Sequence, residues 1–464
     1  MVTEMAIVKT LENLNALVIG AGFGGLASAI ELARRGAKVR VFESAPDMKR
    51  QGDVIQLGPN ATRLVEHWGD ILDDIKETSV SPNVMTIMKK DGKVILDQDL
   101  PTEYDGYPMS YGNRGRIQLK LYEYAKSLGV EVTLGVAVIE VFETAETAGC
   151  YIGDEKIEAD ILIGADGVHS KSRNHVTGIS DRPKKSGFAV YRSWFPLERL
   201  AEDPVTEYIA KSNTPIYKIW IEQNTHAILT TNPALKSATC FVTHKANIRE
   251  DWNLKGDLND MLACVQGWDD ELSHIIQHIP PEVLRDFKLL WRDPVSKWIS
   301  DGGRVCLVGD AAHPHLPTAG TGAAQAIEDA VTIAVALEKA GRNNAPLALR
   351  VYHRLRYERT SLTQRMGWET RHVWHQTDWD AVAVDPNVLR LPQPAWLLGV
   401  DAQQYAEENF DAAASNVQKG VPFISTNVPP GNVHEEWTIE TMLSQEGKIA
   451  DKDFYKTRDP GLEA

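Results

Sequence analysis

Near the start of the chain the spacing of apolar positions changes twice. Asn15 to Gly20 (NALVIG) is a short apolar, β-branched run, which predicts a strand. Leu26, Ala29, Ile30 and Ala33 then recur at helical spacing toward Arg35, and Gly36 follows as a residue suited to ending a helix. Ala37 to Glu43 (AKVRVFE) alternates, as a half-buried strand does. Together these runs predict a βαβ unit.

The pattern continues in the same vein. Between about Ser81 and Ser110, the alternating runs MTIMKK and KVILDQDL flank an Asp91-Gly92 turn, which is a hairpin signal. Arg116 to Leu128 reads as a helix. Val130 to Thr133, Val136 to Phe142 and Ile157 to Ile163 read as strands, the last closing on a fully apolar ILIG of the kind buried on both faces of a parallel sheet. From Phe188 to about Thr243 the run alternates and is aromatic, with Trp194, Tyr217, Trp220 and Phe241, which predicts a separate mixed or antiparallel sheet. Arg304 to Gly309 (RVCLVG) returns to a buried strand, and Gly322 to Lys339 is a long helix. The expected fold is α/β. Residues 1–80 hold the βαβ core, 81–177 the rest of that domain with an inserted hairpin, and 178–290 a second, substrate-binding β-sheet domain. Residues 291–345 return to the first domain, and 346–464 form C-terminal helices and a tail that loosens near Pro429-Pro430-Gly431.

Composition narrows the classes. A chain of 464 residues, 43% hydrophobic and 24% charged, is ordinary globular material large enough for two or three cooperating domains. Lys plus Arg is 49 against 64 for Asp plus Glu, a net −15, and no basic stripe accompanies it, so nucleic acid is not an expected partner. Cys150, Cys240, Cys264 and Cys306 are widely spaced and form no CxxC pair, so neither a disulfide framework nor a zinc site is expected, and a reducing, cytoplasmic setting fits. Met1 to Leu14 lacks the basic and apolar regions of a signal peptide. Leu14 to Leu32 contains Asn15, four glycines and Glu31, short of the roughly 20 apolar residues of a membrane helix, so no membrane association is expected.

Candidate chemistry begins at Gly20-Ala21-Gly22-Phe23-Gly24-Gly25, which lies between the first strand and its helix, with Glu43 at the end of the next strand. Gly20 permits a tight turn, Gly22 lets a pyrophosphate approach the backbone, and Gly25 allows the helix to pack closely on the sheet. The helix N-terminus favours the anion, and Glu43 is placed to accept from a ribose. A bound dinucleotide is the expectation. No second glycine-rich βαβ unit exists for a nicotinamide cofactor.

Two later segments point to which dinucleotide. Asp160-Ile161-Leu162-Ile163-Gly164-Ala165-Asp166-Gly167, running on to Arg173, resembles the DG motif of flavoprotein monooxygenases. Gly309-Asp310-Ala311-Ala312-His313-Pro314, with Pro317, Gly320, Gly322 and Asp329, resembles their GD motif. From about Leu14 to Arg359 the chain is thus similar to the single-component, FAD-dependent aromatic monooxygenases, which include salicylate and para-hydroxybenzoate hydroxylases. The resemblance implies a Rossmann-like FAD-binding domain, a mixed-sheet substrate domain and a helical C-terminal region. It implies FAD as cofactor, NADPH or NADH as a transient reductant, and O₂ and a small aromatic molecule as substrates.

By this resemblance Arg114, with Ile117, Leu121 and Ala125 at the expected spacing, is the flavin-contacting arginine, with Arg116 as runner-up. Gly52 to Asn60 is similar to the family's loop along the flavin, departing from it at Asp53-Val54, where small residues are usual. Asp310, a short acid after a buried strand, suits the hydroxyls of a flavin, and Asp166 ranks below it. Gly320, Gly322 and Ala323 offer small residues and free N–H groups to the flavin ring.

Tyr191-Arg192 sits in an apolar strand, where a cation wants an oxygen partner. Arg192 is expected either to clamp a carboxylate or phenolate or to donate to a developing alkoxide and direct an epoxide's collapse; an acid paired with it is the structural alternative. Asp47 is a candidate for that partner or for an orienting role. Tyr191-Arg192 and the stretch PHLPTAGTGAAQAIEDA look most similar to fungal monooxygenases that epoxidise prenylated indoles on the way to spiro-oxindoles. A phenolic-acid hydroxylase is the alternative, and a flavin oxidase or dehydrogenase the competing class. No metal is expected at His313 and His315. Trp368 and Trp379 are expected on one helical face with His372 and His375, as core.

Overall fold

The computed structural model describes residues 10–48, 53–180, 183–245 and 254–444. Its first strand, β1 (Asn15–Ile19), is buried from Ala16 onward and lies at the centre of a five-stranded parallel sheet. Helix α1 (Phe23–Arg34) follows, and strand β2 (Lys38–Glu43) pairs in parallel beside β1 with Val18 opposite Val41. On the other side of β1 run Ile161–Gly164 and then Val305–Leu307, while Glu131–Leu134 flanks β2. A strand that returns after some 140 residues thus completes the same sheet. Helix α1 and the helix Gly322–Ala340 are buried nearly all round, because they lie between the sheet and an outer layer that includes Ala345–His375 and Ala402–Lys419.

The expected strand Ile157 to Ile163 is in fact two. Glu155–Ala159 belongs to an antiparallel three-stranded sheet with Glu140–Glu143 and Ala148–Ile152, whereas Ile161–Gly164 joins the parallel sheet. Asp160 marks the break: its carboxylate accepts from the Asn15 backbone N–H at 2.8 Å and pairs with Arg342 at 2.9 Å. The expected strand Val136 to Phe142 begins only at Glu140.

A second sheet of seven strands runs in the order Arg285–Trp291, Lys184–Pro196, Ser237–Lys245, Thr225–Asn232, Tyr217–Glu222, Val84–Lys89 and Val94–Asp99. The hairpin expected within the first domain therefore belongs to this sheet, through parallel pairing of Ile87 with Ile219. The reason is burial: Met85 and Ile87 find their apolar partners in Ile219, Ile221, Trp374 and Leu389.

Strand alternation gives this sheet two different faces. Tyr191 and Phe195 point into a core with Met261 and Leu272 of the covering helices Leu258–Cys264 and Asp270–Gln277. Arg192 and Trp194 point the other way, toward the first domain. The helix Ala345–His375 ties the domains together, with Leu349 and Leu355 in the first core and Trp374 in the second. Trp379 is not on it. Asp378 starts a new helix by accepting from the N–H groups of Asp380 and Ala381, so Trp368 and Trp379 lie in separate apolar clusters. Among the described residues no helix is long and apolar enough to cross a membrane.

Candidate functional site

The turn between β1 and α1 is built as its glycines demand. Gly20 has φ +99°, and a Cβ there would lie 2.4 Å from the Ala165 carbonyl oxygen. A Cβ on Gly25 would lie 1.9 Å from the Gly20 carbonyl oxygen, so the helix could not approach the turn with any larger residue. Gly22 faces open space, and no side chain caps the first turn of α1, which leaves N–H donors for an anion.

A cleft of about 890 Å³ opens above this turn. Gly20, Gly22, Glu43 and Asp47 line it from the βαβ unit, and Arg114 and Asp166 from later elements of the same domain. Arg192, Ser193 and Trp194 of the second sheet close its far side. Its volume stands near the upper end of ordinary ligand pockets, as a dinucleotide requires.

Glu43 is held by the N–H groups of Ala21 and Ala45, each at 2.7 Å, so its carboxylate is preset at the cleft edge with lone pairs to spare for a hydroxyl. Gln118, one turn after Arg114 on the same helix, lines the cleft and donates to the Ala21 carbonyl at 2.8 Å. The sequence reading passed over Gln118; its i+4 spacing from Arg114 was the available signal. Arg114 itself starts the helix Arg114–Ser127, which Asn113 caps by accepting from the Arg116 N–H. Arg116 is drawn away to Asp74 at 3.2 Å.

Asp166 lines the cleft but also caps the helix that follows it, accepting from the N–H groups of Lys171 and Ser172 at 2.8 and 3.0 Å. Arg173 on that helix is buried and donates to the carbonyls of Ala311, Ala312 and Asp293, tying the DG segment to the GD turn. Asp310 keeps a solvent-exposed surface, yet protein crowds its carboxyl. That burial raises its pKa, opposed by the nearby charges of His313 and Arg114. It therefore lies within electrostatic reach of the cleft's arginine, although it is not part of the cleft wall.

Gly320, Gly322 and Ala323 also lie outside the cleft wall, at the N-terminus of the helix Gly322–Ala340, whose first turn has no side-chain cap. Gly320 has φ +64°, and a Cβ there would meet the Gln56 side chain at 2.4 Å. Gly52 lies outside the described residues.

Beneath this turn is a charge network that sequence reading missed. Asp329 accepts from the Gly309 N–H, from His313 Nε2 at 2.6 Å and from Arg356 Nε at 2.9 Å. Burial pushes its carboxyl up, but His313 and Arg356 overcome this and hold it down at about 2. Glu328 beside it pairs with Arg356 and Arg359 and accepts from Asn60 at 2.6 Å. His315 bonds Thr363 at 2.9 Å, and burial together with the His313 charge lowers its pKa to about 3.

In the second sheet, Arg192 Nη1 donates to Asp53 Oδ2 at 3.1 Å, and its guanidinium lies 4.8 Å from the Phe287 ring centroid. Tyr191 is not brought to the cleft. It stacks on His244 at 4.4 Å within the apolar core, where burial pushes its phenol pKa up. Adjacent strand side chains point to opposite faces, so turning the Arg192 side chain to the cleft turns that of Tyr191 to the core.

The chain matches the family model described as an FAD binding domain over residues 13–365. The FAD-dependent monooxygenase fsr3 of Gibberella fujikuroi is 33% identical, covering 93% of this chain and 86% of that protein. Asperlicin C monooxygenase of Petromyces alliaceus is 34% identical, covering 87% of this chain and 90% of that protein. The crystal structure of CtdE in complex with FAD and a substrate has a TM-score of 0.82 at 31% identity, covering 88% of this chain and 100% of that one.

Proposed function

Since the chain belongs to the FAD-binding-domain family and its relatives are fungal FAD-dependent monooxygenases, we propose that it transfers one oxygen atom of O₂ to an electron-rich aromatic ring. We take that ring to be an indole, oxygenated by epoxidation or hydroxylation in secondary metabolism, with NADPH or NADH as transient reductant. The observation that carries this reading is the single cleft bounded at one end by the glycine turn and Glu43 and at the other by Arg192 and Trp194 of the second sheet. Cofactor contacts and a substrate-facing cation thus share one space. Four free cysteines, three of them buried, support a reducing, cytoplasmic setting.

FAD, when bound, supplies the electron transfer and the oxygen chemistry. The open Gly22 backbone and the uncapped α1 N-terminus would hold its phosphates, and Glu43 and Asp310 would accept from its hydroxyls. Arg114 would stand by as a cation. Arg192, backed by the Phe287 ring, donates to an oxygen of the substrate, and Trp194 beside it in the cleft wall keeps water from that end. No nucleophilic side chain is required of the protein.

The test is NAD(P)H consumption by the FAD-loaded protein against a panel of phenolic acids and prenylated indoles, with product masses. A prenylated indole that gains one oxygen supports the reading. A product that has lost two hydrogens and gained no oxygen would make the protein an oxidase or dehydrogenase instead.

A further inference from the structure

The cation that faces the cleft from the second sheet does not stand there as an uncompensated charge. Arg192 and Asp53 are both mostly screened from solvent, with side-chain exposures of 19% and 15%, and are bonded at 3.1 Å across the boundary between the domains. The backbone holds Asp53 in place: its carbonyl accepts from the Arg114 N–H at 3.0 Å, and the next residue begins strand β3 (Val54–Leu57), with Val54 opposite Asn113. Phe287 covers one face of the guanidinium. At least one edge donor and one face are thereby committed, and a carboxylate already balances the positive charge.

Both acid and arginine line the same cleft, so a ligand reaching Arg192 also meets Asp53. A carboxylate ligand would place a second negative charge beside Asp53 in a partly desolvated site, where like charges repel strongly. A neutral carbonyl or amide oxygen can still accept from the guanidinium without that cost. We infer that Asp53 is a specificity-determining residue, which turns Arg192 from an anion clamp into a donor for uncharged, carbonyl-bearing aromatic substrates. This rests on the proposed placement of the substrate beside Arg192. It also gives a physical role to the one position at which the Gly52 to Asn60 loop carries an acid.

Indole-3-acetamide and indole-3-acetate share a skeleton and differ in charge, so they serve as matched probes. Their dissociation constants are read from the flavin absorbance of the FAD-loaded wild type and of Asp53→Asn and Asp53→Ala. The wild type is expected to bind the amide at least tenfold more tightly than the acetate. Both variants should move that ratio at least tenfold toward the acetate, with flavin content held. An unchanged ratio in both folded variants overturns the role of Asp53 and leaves the monooxygenase reading intact. Loss of flavin in both places Asp53 in cofactor holding and also overturns it. If neither probe binds any variant, the placement of substrate beside Arg192 falls, and the inference with it.

Discussion

Two groups of charged side chains in this protein are built differently. Under the Gly309-Asp310 turn, Glu328, Asp329, Arg356 and Arg359 are sealed, with side-chain exposures of 1% or less, and each acid is met by at least two donors. In the cleft wall, Arg192 and Asp53 are bonded to each other and retain partial contact with solvent. A sealed network has no donor to spare, and its energetics punish any loss of a partner. A half-open pair can exchange contacts with a ligand. The first arrangement therefore suits a fixed frame under the Gly309-Asp310 turn, and in the proposed reading the second meets what enters the cleft.

The sharpest way to break this contrast is to remove one acid from the sealed group. Glu328→Gln leaves Arg359 buried without its acid and Arg356 with Asp329 alone, and a loss of about 3–5 kcal/mol of stability is expected by denaturant unfolding. A loss below about 1 kcal/mol would mean that the network is not the frame. The corresponding change in the open group should act on chemistry instead. Arg192→Ala is expected to keep FAD and its melting temperature but to lose about a hundredfold in product formation, the size found when one preplaced donor is removed. Arg192→Lys should recover only part, since a lysine keeps the charge without the planar fork. Unchanged coupled turnover in the alanine variant would make Arg192 structural.

A smaller effect separates the two acids that follow adjacent, paired strands of the parallel sheet. Asp166 spends its oxygens on the following helix, whereas Asp310 has an exposed surface for a ligand. Asp310→Ala is therefore expected to weaken flavin binding by about 1.5–3 kcal/mol, and Asp166→Ala by less. Flavin content measured at matched circular dichroism decides it, and equal content in both variants would refute the ranking.

The smallest effect is a pH slope. His226 and His375 are bonded to one another at 2.7 Å, and burial, with the Arg371 charge, lowers both pKa values, that of His226 to about 4. Because the folded pKa lies below the unfolded value near 6.5, the unfolded chain takes up protons first as the pH falls. Stability is complete above about pH 6.5 and should decline as the pH falls toward about 4. His226→Gln should flatten this limb of the stability curve, and an unaltered slope would exclude the pair as its source.

Much of the first domain was legible because its requirements are local. The strand, glycine turn and helix from Asn15 to Arg34 each depend on residues a few positions apart, and the positive φ of Gly20 and the close approach at Gly25 follow from that spacing. The GD and DG segments were readable for the same reason. The break at Asp160 was not, since a continuous apolar alternation carries no mark of which sheet will claim each half. Nor was the hairpin's place in the second sheet, because a hairpin's own pairing says nothing about its outer neighbour.

By itself, then, the sequence determined that a dinucleotide-binding βαβ unit stands at the front of an α/β chain, and that an arginine lies in an aromatic strand of a second sheet. Only the tertiary structure decided that Arg192 faces the cleft while Tyr191 faces the core, and that Asp53, 139 positions away, is a partner of that arginine. The physical reason is that a period of two fixes alternation without choosing the inner face, and that side chains so far apart in the chain are brought together only by the packing of one domain on another.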